Sequence, residues 1–272
     1  MKRLFFGAVY GKPGREAVIK SLPRLMRQTK PDFLIANIEN ISHGKGPLPE
    51  HAQEFLDLGF DALTTGNHAW DQKPFQPILS SATRIIRPAN YPDHPQFKVP
   101  GRGSTVIDSI RTPGLRLGVI QVLGRVFMPP VDCPFKTIDR EIEKLEKCGI
   151  ESFLVDFHAE ASSEKQSLGY YMAGRVSAVL GTHCHVQTAD ERILKEGTAY
   201  ITDVGMCGVV DSVIGNKKEN SVERFLTGRP VKFEPAEGVG GVNAVVLEVD
   251  PRSGKAISIK RIREEFSEEV RE

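Results

Sequence analysis

The chain has 272 residues, of which 40% are hydrophobic and 26% charged, a balance typical of a folded globular protein rather than a disordered one. Its 36 Lys and Arg nearly cancel its 35 Asp and Glu, so no overall field draws it to nucleic acid or anionic lipid. No window approaches the roughly 18 uninterrupted apolar residues of a membrane span, and the apolar segment from Lys2 resembles a core strand more than a signal peptide. We therefore expect a protein that does not enter a membrane.

The four cysteines contain no CxxC pair and are too few to cross-link a chain of this length. This sparse use predicts a reducing compartment, and we expect a cytoplasmic location. The cysteines stand at positions 133, 148, 184 and 207.

The first third of the chain alternates strands with helices. Short apolar runs predict buried parallel strands, and apolar residues at helical spacing predict the helices between them. A Pro13-Gly14 pair marks a break before the first helix. The predicted strands are residues 2–9, 33–38 and 62–65, and the predicted helices are residues 15–28 and 49–58.

Beyond residue 80 the pattern shifts towards strands separated by Pro and Gly turns. The predicted strands are residues 83–87, 104–110, 115–123, 153–156, 176–180, 199–202, 242–249 and 256–262. The predicted helices are residues 138–148, 163–172 and 222–226. We expect residues 124–135 to form an ordered functional loop, and the charged tail from Arg263 to be solvated. Since no linker or repeat interrupts the chain, residues 1–272 are interpreted as one α/β domain with two packed sheets and helices outside.

Polar side chains follow four of the predicted strands at the point where each strand ends. The carboxyl ends of the strands of an α/β sheet border its ligand crevice, so these side chains are expected to meet. A fifth strand end carries Ala8, which offers no ligand atom. The polar residues at the four ends are Glu39 and Asn40, Asn67 and His68, His158, and the pair His183 and His185.

This mixture of imidazole, carboxylate and amide donors favours manganese, iron or zinc over calcium or magnesium alone. We expect an extended backbone at residues 183–185, which would place the imidazoles of His183 and His185 on one face and Cys184 on the other, as a packing residue. Glu39 can then bridge two ions about 3.5–4 Å apart, an arrangement suited to in-line phosphoryl displacement.

The sequence resembles the calcineurin-like metallophosphoesterases, and within them the YmdB-type branch of 2′,3′-cyclic-nucleotide 2′-phosphodiesterases. The resemblance runs nearly end to end. The strings that carry it are IEN at 38–40, TGNH at 65–68, RPANYP at 87–92, GRVFMPP at 124–130, FHAE at 157–160, GTHCH at 181–185, VQTADE at 186–191 and YITDVGM at 200–206.

The resemblance implies a four-layer α/β/β/α sandwich and two metal ions bridged by Glu39. It further implies that Asn40, His185 and an Asp at position 8 complete a first metal site, and that Asn67, His158 and His183 complete a second. His68 would act on the phosphate, as general acid to the leaving oxygen or as a stabiliser of transition-state charge. Asp71 either orients the His68 imidazole or caps the next helix.

Position 8 departs from the family pattern. Where the family has Gly-Asp-Val-x-Gly, this chain has Gly7-Ala8-Val9-Tyr10-Gly11, and the first site loses its anionic terminal ligand. The chain is therefore either a degenerate homologue or an otherwise intact enzyme with a single change. We favour the second interpretation, because the other motif positions keep their ligand types. His43 is a candidate substitute ligand.

Four further side chains keep two interpretations each. Arg87 and Arg125 are either phosphate or base contacts or structural residues, and Trp70 and Phe127 either stack on a nucleobase or pack in the core.

The predicted function is hydrolysis of 2′,3′-cyclic nucleotides such as 2′,3′-cyclic AMP to 3′-nucleotides, impaired by Ala8. The alternative is an inactive regulatory or binding homologue that keeps the fold and part of the metal site. RNA as substrate is disfavoured by the neutral charge and the lack of a basic strand with interleaved aromatics. A small cyclic nucleotide is the expected partner, and the sequence leaves open whether the chain forms a homo-oligomer.

Overall fold

The computed structural model describes residues 1–266, which form two β-sheets packed face to face with helices on both outer surfaces. Apolar clusters fill the space between each pair of layers. The predicted α/β class and the four-layer α/β/β/α arrangement are confirmed.

The first sheet has eight strands in the order β2-β12-β13-β1-β3-β4-β5, with β14 also paired to β13. Strands β1, β3, β4 and β5 run parallel, so their carboxyl ends lie at one edge. The strands are β1 Lys2–Phe6, β2 Ala8–Val9, β3 Phe33–Asn37, β4 Ala62–Thr64, β5 Ile85–Ile86, β12 Met206–Val209, β13 Gly240–Val249 and β14 Ala256–Glu265.

The second sheet has six strands in the order β10-β11-β9-β8-β7-β6. Its four central strands are parallel, and an antiparallel strand closes each edge. The strands are β6 Ser104–Asp108, β7 Arg116–Leu123, β8 Phe153–His158, β9 Ala178–Thr182, β10 Arg192–Leu194 and β11 Thr198–Ile201.

Helices α1 to α3 cover the first sheet and helices α4 and α5 the second. Within residues 1–266, no helix is long and apolar enough to cross a bilayer. The helices are α1 Gly11–Thr29, α2 Pro49–Asp57, α3 Gln76–Ser81, α4 Pro134–Glu146, α5 Ser162–Tyr171 and α6 Lys218–Thr227, and a 3₁₀ turn spans Lys73–Phe75.

Strand β1 shows why the sheets stack. Leu4 and Phe6 point to the helical layer, whereas Phe5 points to the second sheet, because successive side chains of a strand face opposite sides. All three are fully buried. A strand covered on both faces is apolar at every position, which explains the unbroken apolar run in the sequence.

Several predicted boundaries were wrong. Helix α1 begins at Gly11 rather than residue 15, because Pro13 lies in its first turn, where a missing N–H costs nothing. The predicted strand at residues 83–87 shrinks to Ile85–Ile86, and the one at 176–180 lies two residues later. The predicted strand at residues 2–9 is divided into β1 and β2, and the short elements β10, β12 and α3 were not predicted. The charged tail from Arg263 continues β14 through Glu265, and Arg263 and Glu265 are exposed there, as expected. Its last residues, 267–272, lie outside the described residues.

Candidate metal centre

Four side chains from four strand ends converge at the common edge of the two sheets. His158 Nε2 lies 3.1 Å from Glu39 Oε2, 3.0 Å from Asn67 Oδ1 and 3.1 Å from His183 Nδ1. Glu39 and Asn67 follow β3 and β4 of the first sheet, while His158 ends β8 and His183 follows β9 of the second. The carboxylate and the two imidazoles could hold a metal ion, since their ligand atoms all lie within 4.8 Å of one another.

A glycine allows this close approach. A Cβ added at Gly66 would lie 2.1 Å from Glu39 Oε2 and 2.8 Å from His158 Cε1, distances that real Cβ atoms do not reach. The glycine before Asn67 therefore brings the backbone of the β4 end against the cluster.

Hydrogen bonds behind the cluster fix where the imidazole protons lie. Thr182 Oγ1 donates its proton to Asp156 Oδ1 at 2.6 Å. Because the hydroxyl has only one proton, Thr182 Oγ1 must accept the hydrogen bond from His158 Nδ1, 2.9 Å away. Asp156 is fully buried, and Asn37 and Gln121 also donate to it. With the proton on Nδ1, His158 presents the lone pair of Nε2 to Glu39.

The same logic applies to His183. Its Nε2 lies 3.1 Å from Glu160 Oε2, so Nε2 carries the proton and Nδ1 turns its lone pair towards His158. Glu39 Oε2 is buried without a hydrogen-bond partner. Lone pairs from oxygen and nitrogen therefore face one another across about 3 Å, which is unfavourable unless a cation lies among them. This donor set fits a divalent transition ion.

The electrostatics agree with this interpretation. Burial pushes the pKa of the Glu39 carboxyl upwards, but the surrounding imidazoles, His158 first and then His68 and His183, together outweigh burial and hold that pKa at about 2. The carboxylate therefore needs a positive charge beside it, which a proton or a cation can supply. Burial, then repulsion by His158, lowers the pKa of His183 to about 3, and burial also lowers the pKa of His185. Neutral imidazoles are the form that ligates metals.

The predicted first site is less complete. His185 Nδ1 donates to the Ile214 carbonyl at 2.9 Å, so its Nε2 turns a lone pair to Asn40 Oδ1, 3.1 Å away. Asn40 Nδ2 donates to Gly44 O at 2.9 Å, which fixes the amide in this orientation. Ala8 is fully buried on β2 and brings only a methyl group.

The expected extended backbone at residues 183–185 was wrong. His183 and His185 have φ angles of 101° and 65°, and the chain turns sharply because Asp203 accepts the Cys184 N–H at 2.9 Å. Cys184 does not pack on an opposite sheet face. It lines the same cleft, with its Sγ 3.3 Å from Lys165 Nζ.

His68 lies beside the cluster, and one of its ring nitrogens is hydrogen-bonded to a carboxylate. Its Nδ1 is 2.8 Å from Asp71 Oδ2, and Lys45 Nζ is 3.5 Å from the same oxygen. Of the two interpretations of Asp71, the structure supports orientation of His68. His43 also lines the cleft, on a loop where its φ is 56°.

The structure also shows the surroundings of the four side chains for which the sequence left two interpretations. The Arg87 guanidinium is buried and donates to the backbone carbonyls of residues 88, 100 and 101, so Arg87 is structural. Trp70 packs edge-on against Tyr91. Arg125 and Phe127 are exposed and, like Trp70, do not line the cleft.

The cleft over the cluster has a volume of about 710 Å³. Its lining includes Glu39, His68 and His183, together with residues 214, 216, 233 and 235 of the segment 210–238, here called the cap segment. The cap segment includes α6 and is held at the cleft by Tyr10, whose hydroxyl donates to Asn216 Oδ1 at 2.8 Å. Four kinds of site residue were missed, namely Asp156, Thr182, Glu160 and the cap residues. Glu160 and Thr182 carried a signal, their places in the FHAE and GTHCH strings.

The layered fold and the donor cluster at its strand ends define the class of protein, a metallophosphoesterase-type α/β sandwich. The chain belongs to the YmdB-like protein family, whose sequence profile matches residues 4–262.

Individual relatives match over nearly their full length. The chain is 45% identical over 262 residues to a Bacillus subtilis protein named 2′,3′-cyclic-nucleotide 2′-phosphodiesterase, covering 96% of each chain. A Thermus thermophilus structure titled only as a hypothetical protein superposes with a TM-score of 0.88 at 40% identity, over 98% of this chain and all of the other. A structure described as a novel phosphatase from Mycoplasma pneumoniae gives 0.89 at 36% identity, over 97% and 93%.

Proposed function

We propose that the chain is a metal-dependent phosphodiesterase that converts 2′,3′-cyclic nucleotides to 3′-nucleotides and that Ala8 impairs it. The observation that carries the proposal is the convergence of Glu39, Asn67, His158 and His183 with their lone pairs unpaired. The name of the Bacillus subtilis relative supports the substrate class.

We assign the ligands in two sets. Glu39, Asn67, His158 and His183 would hold the second ion, and Glu39, Asn40 and His185 the first, weakened by Ala8; manganese or iron suits these donors best, and zinc is a possible third. When bound, such ions activate a water and neutralise charge on the phosphoryl oxygens.

His68 is assigned the proton transfer. Asp71 accepts its Nδ1–H, so the ring presents Nε2 to the cleft, where it can protonate the leaving 2′ oxygen or stabilise charge on the phosphate. Lys45 adds a positive charge at the same rim.

Ala8 favours a second candidate, an inactive regulatory or binding homologue that keeps the fold and part of the metal site. The two candidates differ in turnover and metal content. The test is an assay of 2′,3′-cyclic AMP, a generic aryl phosphodiester and a short RNA with manganese, for this chain and for Ala8→Asp, together with elemental analysis of metal per chain.

The proposal expects hydrolysis of 2′,3′-cyclic AMP to 3′-AMP by Ala8→Asp, with little turnover of RNA. The 2′-phosphate as main product would contradict the assigned leaving group. Absence of turnover by both forms, with metal bound, would favour the binding homologue.

A cytoplasmic location and a homo-oligomer stay predictions of the sequence.

A further inference from the structure

The cleft is lined by two groups of residues that differ in chemistry. Glu39, His68 and His183 are polar and suit a phosphate, whereas the cap segment contributes Ile214, Phe233 and Pro235 beside the polar Asn216. A volume of about 710 Å³ is ample for a whole nucleotide.

The apolar side chains of this wall are not part of the core. Phe233 is 43% exposed and Ile214 is 46% exposed, although both are large hydrophobic residues. Unlike Phe225 and Phe127, which are exposed away from the cleft, these two side chains line a concave site beside polar groups, the combination typical of small-molecule sites.

Phe233 is held in place before any ligand arrives. The Arg224 guanidinium, on α6, lies 4.8 Å from the centre of its ring. The chain around Phe233 is fixed as well, because Lys217 Nζ pairs with Glu234 at 2.9 Å and Asn220 donates to the Lys232 carbonyl at 2.9 Å. A ring that is already positioned loses little entropy on stacking.

We propose that Phe233, with Ile214 and Pro235, forms a nucleobase subsite that holds the base while the phosphate lies at the polar side. This subsite rests on the proposed function, and it identifies the residues that would select the substrate. Stacking accepts every base, since each has a π face, so the subsite distinguishes nucleotides from diesters without a base rather than adenine from uracil.

The test is calorimetric binding of 3′-AMP and of a base-free analogue, methyl riboside 3-phosphate, to the full chain loaded with manganese. These are product-type ligands, so residual turnover does not disturb the equilibrium. Phe233→Ala should weaken 3′-AMP binding about 5- to 100-fold, the range of one base stack, and leave the base-free analogue unchanged. The matched control is Phe225→Ala, because Phe225 is 84% exposed on the same cap segment and does not line the cleft.

Equal weakening of both ligands would mean that Phe233 shapes the cleft rather than contacts the base, and would overturn the proposal. Unchanged 3′-AMP binding, or the same loss in Phe225→Ala, would overturn it too, as would undetectable binding of 3′-AMP to the parent chain. Failure of the proposed function is seen separately, as lack of 2′,3′-cyclic AMP hydrolysis by Ala8→Asp.

Discussion

At the scale of residues, the proposed function depends most on position 8. Its backbone is ordinary, with the amide donating to Gly205 O at 3.0 Å and the residue paired to Met206 of β12. In the proposed ligand assignment, position 8 would add a donor to the site of Asn40 Oδ1 and His185 Nε2, which face each other at 3.1 Å.

We predict that Ala8→Asp raises turnover of 2′,3′-cyclic AMP by at least about 10- to 100-fold at saturating manganese, because losing even an outer contact to a metal ligand costs that much. Ala8→Asn is the matched control, since it supplies an oxygen without the charge and should give a smaller gain. Circular dichroism should show equal folding. Equal rates in all three forms would mean that position 8 is not a working ligand, and the site would have to be redrawn, with His43 the first residue to test.

The pair of His68 and Asp71 gives a second prediction. In the Ala8→Asp background, His68→Ala should lower turnover by about 10²–10⁴ without changing metal content, because a positioned acid acts on the leaving group and not on the metal. Asp71→Asn should cost less, since the ring stays in place while its orienting charge is lost. Metal loss in His68→Ala would place His68 among the ligands and refute the assignment.

At the scale of elements, the strand ends made the site predictable. Glu39, Asn67 and His158 each follow or end a buried parallel strand, so their meeting at one edge could be inferred from apolar runs alone. The turn at His183 and His185 could not, because its left-handed φ values depend on Asp203, a residue distant in sequence. The cap residues were equally hidden, since nothing local to Phe233 indicates what it faces.

Helix α1 carries an unfavourable residue that the fold tolerates. Pro23 is exposed in the interior of the helix and has no N–H for the Ile19 carbonyl. Pro23→Ala should raise the free energy of unfolding by about 2–3 kcal/mol in urea titrations. Glu16→Ala, on the exposed part of the same helix, should change it by less than about 0.5 kcal/mol. A loss of stability in Pro23→Ala would show that the ring packs favourably.

At the scale of the whole molecule, Arg3 joins the two sheets. Its guanidinium is fully buried and bonds to the hydroxyls of Ser152 and Ser177, while its Nε and Nη1 have no partner. Burial lowers the pKa of Arg3 to about 9, which shows how strongly the charged form is disfavoured there.

We predict that Arg3→Leu stabilises the protein by about 1–4 kcal/mol at pH 7, as replacing buried charges by apolar residues often does. The two serine hydroxyls still satisfy each other, being 3.0 Å apart. Chemical denaturation measures the change, with the exposed Arg116→Leu as control. A destabilised Arg3→Leu would indicate that a buried anion or water completes the guanidinium.

The hydrogen bond from His185 Nδ1 to the Ile214 carbonyl connects the cap segment to the pair of Asn40 and His185 at the predicted first metal site. Ile214 holds this carbonyl in place at a φ of 50°, a conformation that costs a β-branched residue free energy. This bond keeps the His185 proton on Nδ1 and leaves Nε2 without one, which is the tautomer that the proposed metal ligand needs. Because coupling between two sites is reciprocal, we predict that loading the proposed centre with manganese slows amide hydrogen exchange in the cap segment.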